Sequence, residues 1–372
     1  MQKELLTNLS HLVNLETTSD NPEKIREAFS YIDEQLQAIH PFIKKEYTHN
    51  GVLSVIWSTK DTLNPDTILN AHIDVVPASK GMFQIQQKDG KLIGRGTSDM
   101  KFSIVSFIHA LKQLHQEVGL ENVSIAVMIT SDEEKGGFNG VKHLVNDIGY
   151  RSNLVILPDA GDGWRIAIAA KGASWIKLST SGSSAHASRP WEGESAVDKL
   201  LDVLSQLRKK YPNPTDEKYV TTNNIGIISG GTTPNQIADS ASATLDIRYT
   251  ADLTVDDIIK YIKLEFPEVE IERLVDKTNF KVDPQNSFIQ QWLNLVEKEQ
   301  PDLIDKNDSF TSEHGGADHH YFTDHGMPIL ATKPNGGLIH TENEWLDEEE
   351  FYLYAKLLAL YLIEMNINYL SK

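Results

Sequence analysis

Two textures alternate along the first part of the chain. Short apolar runs of strand length, VLSVIW, TILNAHIDVV, SIAVMITSD and NLVILPDA, lie between segments whose apolar positions recur with helical spacing, such as KFSIVSFIHALKQLHQEV. That alternation predicts an α/β domain built on a largely parallel central sheet. The N-terminal stretch MQKELLTNLSHLVNLETTSDNPEKIREAFSYIDEQLQ also has helical spacing and lacks the unbroken apolar core of a secretory signal, so it reads as part of the folded protein.

The texture changes after Lys171 and Gly172. ASWIKLSTSGSSAHASRPWEGESAVDKLLDVLSQLRKKY reads as strand, Gly/Ser turn and helix; NNIGIISGG, ASATLDIRYT and EVEIERLV read as strands, with the helix LTVDDIIKYIKLEF between the last two. From about Phe280 helix, loop and strand return. The expected organisation is therefore a larger domain of residues 1–172 and 281–372 with an α+β module, 173–280, inserted into it. The C-terminal run FYLYAKLLALYLIEM is interrupted by Lys356 and too short to span a bilayer, so it predicts an amphipathic packing helix. Asp347 is its candidate N-cap, with Glu350 three residues on.

At 372 residues the chain exceeds what one hydrophobic core usually serves, which agrees with two domains. A formal charge of -18 without a Lys/Arg cluster argues against nucleic acid as a partner. The absence of cysteine excludes disulfides and thiolate ligands and is compatible with a reducing, cytoplasmic compartment; any metal must be held by histidine and carboxylate.

Three strand-like runs end in such groups: AHID in His72 and Asp74, TSDEE in Asp132, Glu133 and Glu134, and LPDA in Asp159. Carboxyl ends of strands line the ligand crevice of open α/β sheets, so these groups can converge. Asp99 in GRGTSDMK lies beside glycines that allow tight turns, and His340 follows a Gly-rich turn in GGLIHTENE. Each piece alone also has a plain structural use. Asp99 could cap the helix starting near Lys101, Asp159 after Pro158 could be a turn residue, and adjacent acids usually face water.

The motifs AHIDVVP, DGKLIGRGTSDMK, TSDEEKGGFNG, SSAHASRPWEG, GGTTPNQIADSASATLDIR, GGADHHYF and GGLIHTENE, in this order, resemble the dizinc metallopeptidase and amidohydrolase family. That family includes acetylornithine deacetylase, succinyl-diaminopimelate desuccinylase, aminoacylase, carnosinase and bacterial glutamate carboxypeptidase. The resemblance covers nearly the whole chain. It implies a zinc-exopeptidase-like catalytic domain, an inserted lid and dimerisation domain, and two divalent metals, zinc first, with cobalt or manganese as substitutes. It further implies that Asp99 bridges the metals, that Glu134 and His340 hold one and His72 and Asp159 the other, and that Asp74 orients His72 from behind. Adjacent Glu133 and Glu134 on an extended chain point in different directions, so one can bind metal while the other faces substrate. Glu133 resembles the general base of amide hydrolysis, and His186 the histidine that reaches a neighbouring subunit's site, which makes a homodimer the active unit. Asn235, Arg248, Gly315 and Gly316 match substrate-binding positions, although Arg248 could equally serve a structural ion pair.

The implied activity is hydrolysis of an amide bond in a small-molecule substrate, an N-acyl amino acid or short peptide, by a protein without a membrane span. The motifs do not separate deacylase from exopeptidase. A non-catalytic metal-containing binding protein on the same scaffold is the competing reading. Related sequences carry a Ser-Asp-x-Arg pattern where this chain has Ala317, Asp318, His319 and His320, so carboxylate recognition is the loosest transfer. His314, His319, His320 and His325 are expected to be solvated or substrate-facing.

Overall fold

The run TILNAH forms the strand Thr67–His72, buried at every residue, in the computed structural model of the chain, which describes residues 1–370. The runs around it become its neighbours. The six-stranded sheet has the order Ile43–His49, Val52–Ser58, Ile125–Thr130, Thr67–His72, Leu154–Ile156, Ile329–Leu330. Pairing is parallel from Ile125–Thr130 to Ile329–Leu330, whereas the first two strands are antiparallel to their neighbours, so the sheet is mixed. Its register sets His72 opposite Thr130 and Leu69 opposite Ile156, which brings the carboxyl ends of three strands to one edge.

The helical run after Asp99 forms Phe102–Glu117 and packs against Glu348–Leu370. Phe102 meets Tyr354 edge-on at 5.6 Å between ring centroids, and Trp292 and Trp164 close on the same tyrosine at 6.0 and 5.7 Å. Aromatic burial of this kind supplies a large share of core stability, with about 0.5–1.5 kcal/mol per well-oriented ring pair beyond the area buried. Asp347 does cap the last helix, its Oδ1 accepting the Glu350 N–H at 3.0 Å. That helix is not amphipathic in the expected sense. Tyr354, Ala355, Leu357, Leu358, Tyr361 and Leu362 are all buried while Lys356 is exposed, because neighbours enclose the helix on most sides. Among the described residues no helix is long and apolar enough to cross a membrane.

The chain divides into two units, one of 1–168, 281–311 and 317–372, the other of 169–280 and 312–316. The segment 312–316, read from the sequence with the larger part, groups with the second unit, where the Lys171 N–H donates to the Glu313 carbonyl at 3.1 Å. The second unit holds an antiparallel sheet in the order Thr222–Gly230, Ser240–Tyr249, Gly172–Ser181, Glu270–Lys277. Helices Ala196–Lys210 and Val255–Glu265 share a core with it through Leu200, Leu207, Ile258 and Ile262. Thr254 and Asp257 form a reciprocal capping box at the start of the second helix.

Candidate active site

Each site group of the first unit stands where a strand or turn ends. His72 is the last residue of its strand and is buried. Its Nδ1 lies 2.9 Å from the Asp74 main-chain carbonyl and 3.5 Å from Asp74 Oδ1. The ring is thus oriented first by main chain, and Nε2 is the nitrogen turned to Asp99 Oδ1 at 3.2 Å and Asp159 Oδ1 at 3.9 Å. The Asp74 carboxylate, fully buried, also accepts the N–H groups of Glu133 at 3.3 Å and Glu134 at 3.1 Å. It pins the turn that carries both glutamates.

That turn corrects one expectation. Glu133 and Glu134 were expected on extended chain, pointing apart; the strand ends at Thr130 and Glu133–Lys135 is a single 3-10 turn. The two side chains nevertheless join different groups. Asp132 turns away, its carboxylate accepting the Asn139 N–H at 2.8 Å. Asp99 does not cap Phe102–Glu117, because its carboxylate is committed elsewhere: Oδ1 to His72 and Oδ2 to His340 Nε2 at 3.0 Å. Gly96 makes the approach possible. It has φ +84°, and a Cβ there would meet the buried Lys101 side chain at 2.9 Å. His340, half-exposed, adopts φ +62° and reaches Glu134 Oε2 at 3.1 Å. A non-glycine residue held in that region is a local strain of the sort that functional sites retain.

Potential ligand atoms therefore form two triads, His72 with Glu133 and Asp159, and Asp99 with Glu134 and His340, within each of which the atoms lie inside 4.8 Å. Asp99 joins them by offering one oxygen to each histidine. The electrostatics show what so much buried acid costs. Burial, then the Asp99 charge, pushes the Asp159 carboxyl up to about 7. Burial and the Asp159 charge hold Glu133 well above the ordinary carboxylate range. For Asp99 burial acts upward, but hydrogen bonds from His340 and His72 prevail and its pKa falls. Hydrogen bonds to Asp99 and Glu134 raise His340 to about 10. Burial opposes protonation of His72, yet Asp74 and Asp99 carry its pKa well above the ordinary value.

A family model, Peptidase family M20/M25/M40, matches residues 68–364. The chain belongs to this peptidase family. It is an enzyme family that hydrolyses amide and peptide bonds. The chain is 25% identical to a protein of Staphylococcus aureus strain MRSA252 named probable succinyl-diaminopimelate desuccinylase, over 100% of this chain and 98% of that one. The fold is that of a tripeptidase from Staphylococcus aureus, at TM-score 0.77 and 20% identity over 98% of this chain and 99% of the other. It is also that of a Bacillus subtilis protein described as a dinuclear metal-binding peptidase of the M20 family, at TM-score 0.65 and 14% identity over 98% of each chain.

In this M20 chain the remaining site candidates lie in the second unit. His186 is exposed, and its Nδ1 accepts from the Ser188 N–H at 3.2 Å with the Ser188 hydroxyl 2.8 Å away. An Nδ1 that accepts leaves the proton of the neutral ring on Nε2. Asn235 is tied to the same turn, its carbonyl accepting the Ala187 N–H at 3.0 Å and its Oδ1 the Thr233 hydroxyl at 2.7 Å. Arg248 donates through Nε and Nη2 to Asp246 at 2.8 and 3.1 Å, the structural ion pair weighed from the sequence. Gly315 and Gly316 are exposed, with open space at the Cβ position of Gly315.

The histidine cluster divides. His314 and His325 are exposed as expected, but His319 and His320 are buried because the short helix His319–Thr323 packs inward. His319 Nε2 lies 3.2 Å from the Leu157 carbonyl, and burial pushes its pKa down to about 3. His320 Nδ1 lies 3.0 Å from the Ala317 carbonyl. Sequence reading overlooked two other residues altogether. Arg95 and Glu344, 2% and 0% exposed, form a buried ion pair at 2.6 Å directly behind Asp99. The available signal was a charged residue set within each Gly-rich motif, GRG and the HTENE end of GGLIHTENE.

Proposed function

We propose that this M20 family member is a two-metal hydrolase that cleaves the amide bond of an N-acyl amino acid or short peptide. The observation that carries the reading is the Asp99 carboxylate spanning His72 and His340 between two His/carboxylate triads. The donor set fits two divalent cations: imidazole and carboxylate suit zinc, with cobalt or manganese as alternatives, and a cation in each triad would offset the crowding of acids. Zinc is the first choice. His72 and Asp159 would hold one ion, Glu134 and His340 the other, and Asp99 both.

When bound, such a pair lowers the pKa of water toward neutrality and polarises the substrate carbonyl. The chain itself must then move a proton. Glu133, on the turn pinned by Asp74, takes the proton from the attacking water and delivers it to the departing nitrogen, the service an amine leaving group needs. His186, exposed and with its Nδ1 accepting from Ser188, is the proposed Nε2–H donor to the developing oxyanion from a neighbouring subunit. Asn235 and the Gly315-Gly316 turn would contact substrate. Arg248 would do so only through the guanidinium edge that Asp246 leaves.

A homodimer is part of this proposal. Thr222–Gly230 is an edge strand with Ile227 65% and Ile228 55% exposed, an apolar edge of the kind that pairs with another strand.

The test is amine release from N-acetyl amino acids, N-succinyl amino acids and short peptides, with zinc-loaded, cobalt-loaded and chelated protein. Metal-dependent turnover of one class is expected. Two bound metals without turnover of any substrate would favour a binding protein on the same scaffold.

A further inference from the structure

Directly behind the proposed metal centre, the segment 94–99 wraps around a single side chain. Glu344 Oε1 accepts the main-chain N–H groups of Gly96 at 3.0 Å, Ser98 at 3.0 Å and Asp99 at 3.1 Å. Its Oε2 accepts from Arg95 Nη1 at 2.6 Å, and its own carbonyl accepts the Gly94 N–H at 3.0 Å. The other arm of Arg95 donates from Nη2 to the Thr341 carbonyl at 3.2 Å, one residue after His340. One buried ion pair is thus fastened both to the loop that presents Asp99 and to the turn that presents His340.

A carboxylate has about four lone-pair sites, and here main-chain and guanidinium donors engage them, so Glu344 is not a ligand. Burying an ion pair rarely gains stability over apolar residues of the same volume, whereas it can hold one geometry against others. Three N–H groups converging on one point also need an anion there. Each left unmet in the interior loses its hydrogen bond to water without a replacement.

We infer that Glu344, with Arg95, is a positioning residue for the metal centre: it templates the 94–99 loop and the His340 turn together, so that the two oxygens of Asp99 face His72 and His340. This rests on the two-metal reading. Removing the charge keeps every ligand side chain but frees the loop that carries Asp99, so the two ions that share Asp99 should be held less tightly and in altered geometry.

The test uses the full chain. Glu344→Gln is nearly isosteric, yet its NH2 group must face a donor. Zinc affinity is measured by competition with a chromophoric chelator, and the visible spectrum of the cobalt-loaded protein is recorded, in wild type, Glu344→Gln and Glu344→Asp. Affinity for at least one ion should fall by about 10–100-fold in Glu344→Gln, the usual effect of losing a group behind a ligand, with a changed cobalt spectrum and partial recovery in Glu344→Asp. kcat should fall more than KM rises. Wild-type zinc affinity and an unchanged cobalt spectrum in Glu344→Gln would overturn the inference while leaving the two-metal reading intact. A wild-type chain that takes up no zinc would overturn both. Should Glu344→Gln be recovered only unfolded, Arg95→Lys retains the buried charge but has no second arm for the Thr341 carbonyl. It should show the same loss of affinity, and wild-type affinity there would equally overturn the inference.

Discussion

At the scale of single residues, the proposal assigns different tasks to neighbouring groups, some to hold metal and one to transfer protons. Glu133 and Glu134 are adjacent in sequence and share the anchoring Asp74, yet they join different triads. Glu133→Gln is expected to keep two metals and the fold while kcat falls by about 10²–10⁴, the range of a lost general acid/base. Glu134→Ala should lose metal, as measured by metal content after gel filtration. Normal turnover in Glu133→Gln would remove it as the base. Titration adds a second prediction for the metal-free chain. Asp159, held up at about 7 by burial and the Asp99 charge, binds its proton more tightly folded than unfolded, so its contribution to stability falls as pH rises from the ordinary carboxylate range through about 7. His340, raised to about 10 by Asp99 and Glu134, contributes fully below the ordinary histidine pKa, and that contribution is lost as pH rises through about 10. Asp99 acts oppositely, but its contribution is lost only as pH falls below the ordinary carboxylate range. Between pH 6 and 9 the rise in Tm on adding zinc should therefore grow, because zinc competes with the protons held by Asp159 and His340. A zinc-induced rise that shrinks with pH would contradict this account.

At the scale of elements, what matters is how the ends of strands and the turns after them are shaped. The strands themselves were legible, because TILNAH, SIAVMIT and NLVI are apolar runs of the right length with polar groups at their ends. The turns were less so. An extended Glu133-Glu134 pair and a 3-10 turn present the same letters, and only the Asp74 carboxylate, from a different strand end, selects the turn. Gly96 is the clearest case of an element dictated by one residue. Gly96→Ala would force a side chain into left-handed backbone, about 1–3 kcal/mol of strain, and push it onto Lys101, whose ammonium donates at 2.9 Å to the Leu12 and Leu15 carbonyls. Urea unfolding should show a loss of at least that size, with weakened zinc uptake because Asp99 follows three residues on. Unchanged stability would mean that the loop relaxes without cost.

At the scale of the whole molecule, the proposal calls for two copies. Wild type is expected to sediment as a dimer, and Ile227→Lys with Ile228→Lys on the exposed edge strand should shift it toward monomer and reduce turnover without loss of bound zinc. A fully active wild-type monomer would dismiss both the dimer and the role of His186 in a neighbouring site. By itself the sequence determined the α/β class, the change of texture near Lys171 and the types and order of the candidate ligands, because periodicity, glycine and charge are local properties of the chain. Tertiary structure alone decided that Asp99 faces two histidines, that His319 and His320 are buried, and that Arg95 and Glu344 meet 249 positions apart. Such pairings depend on which strand ends the sheet brings together, and buried charge is recognisable only by its partner.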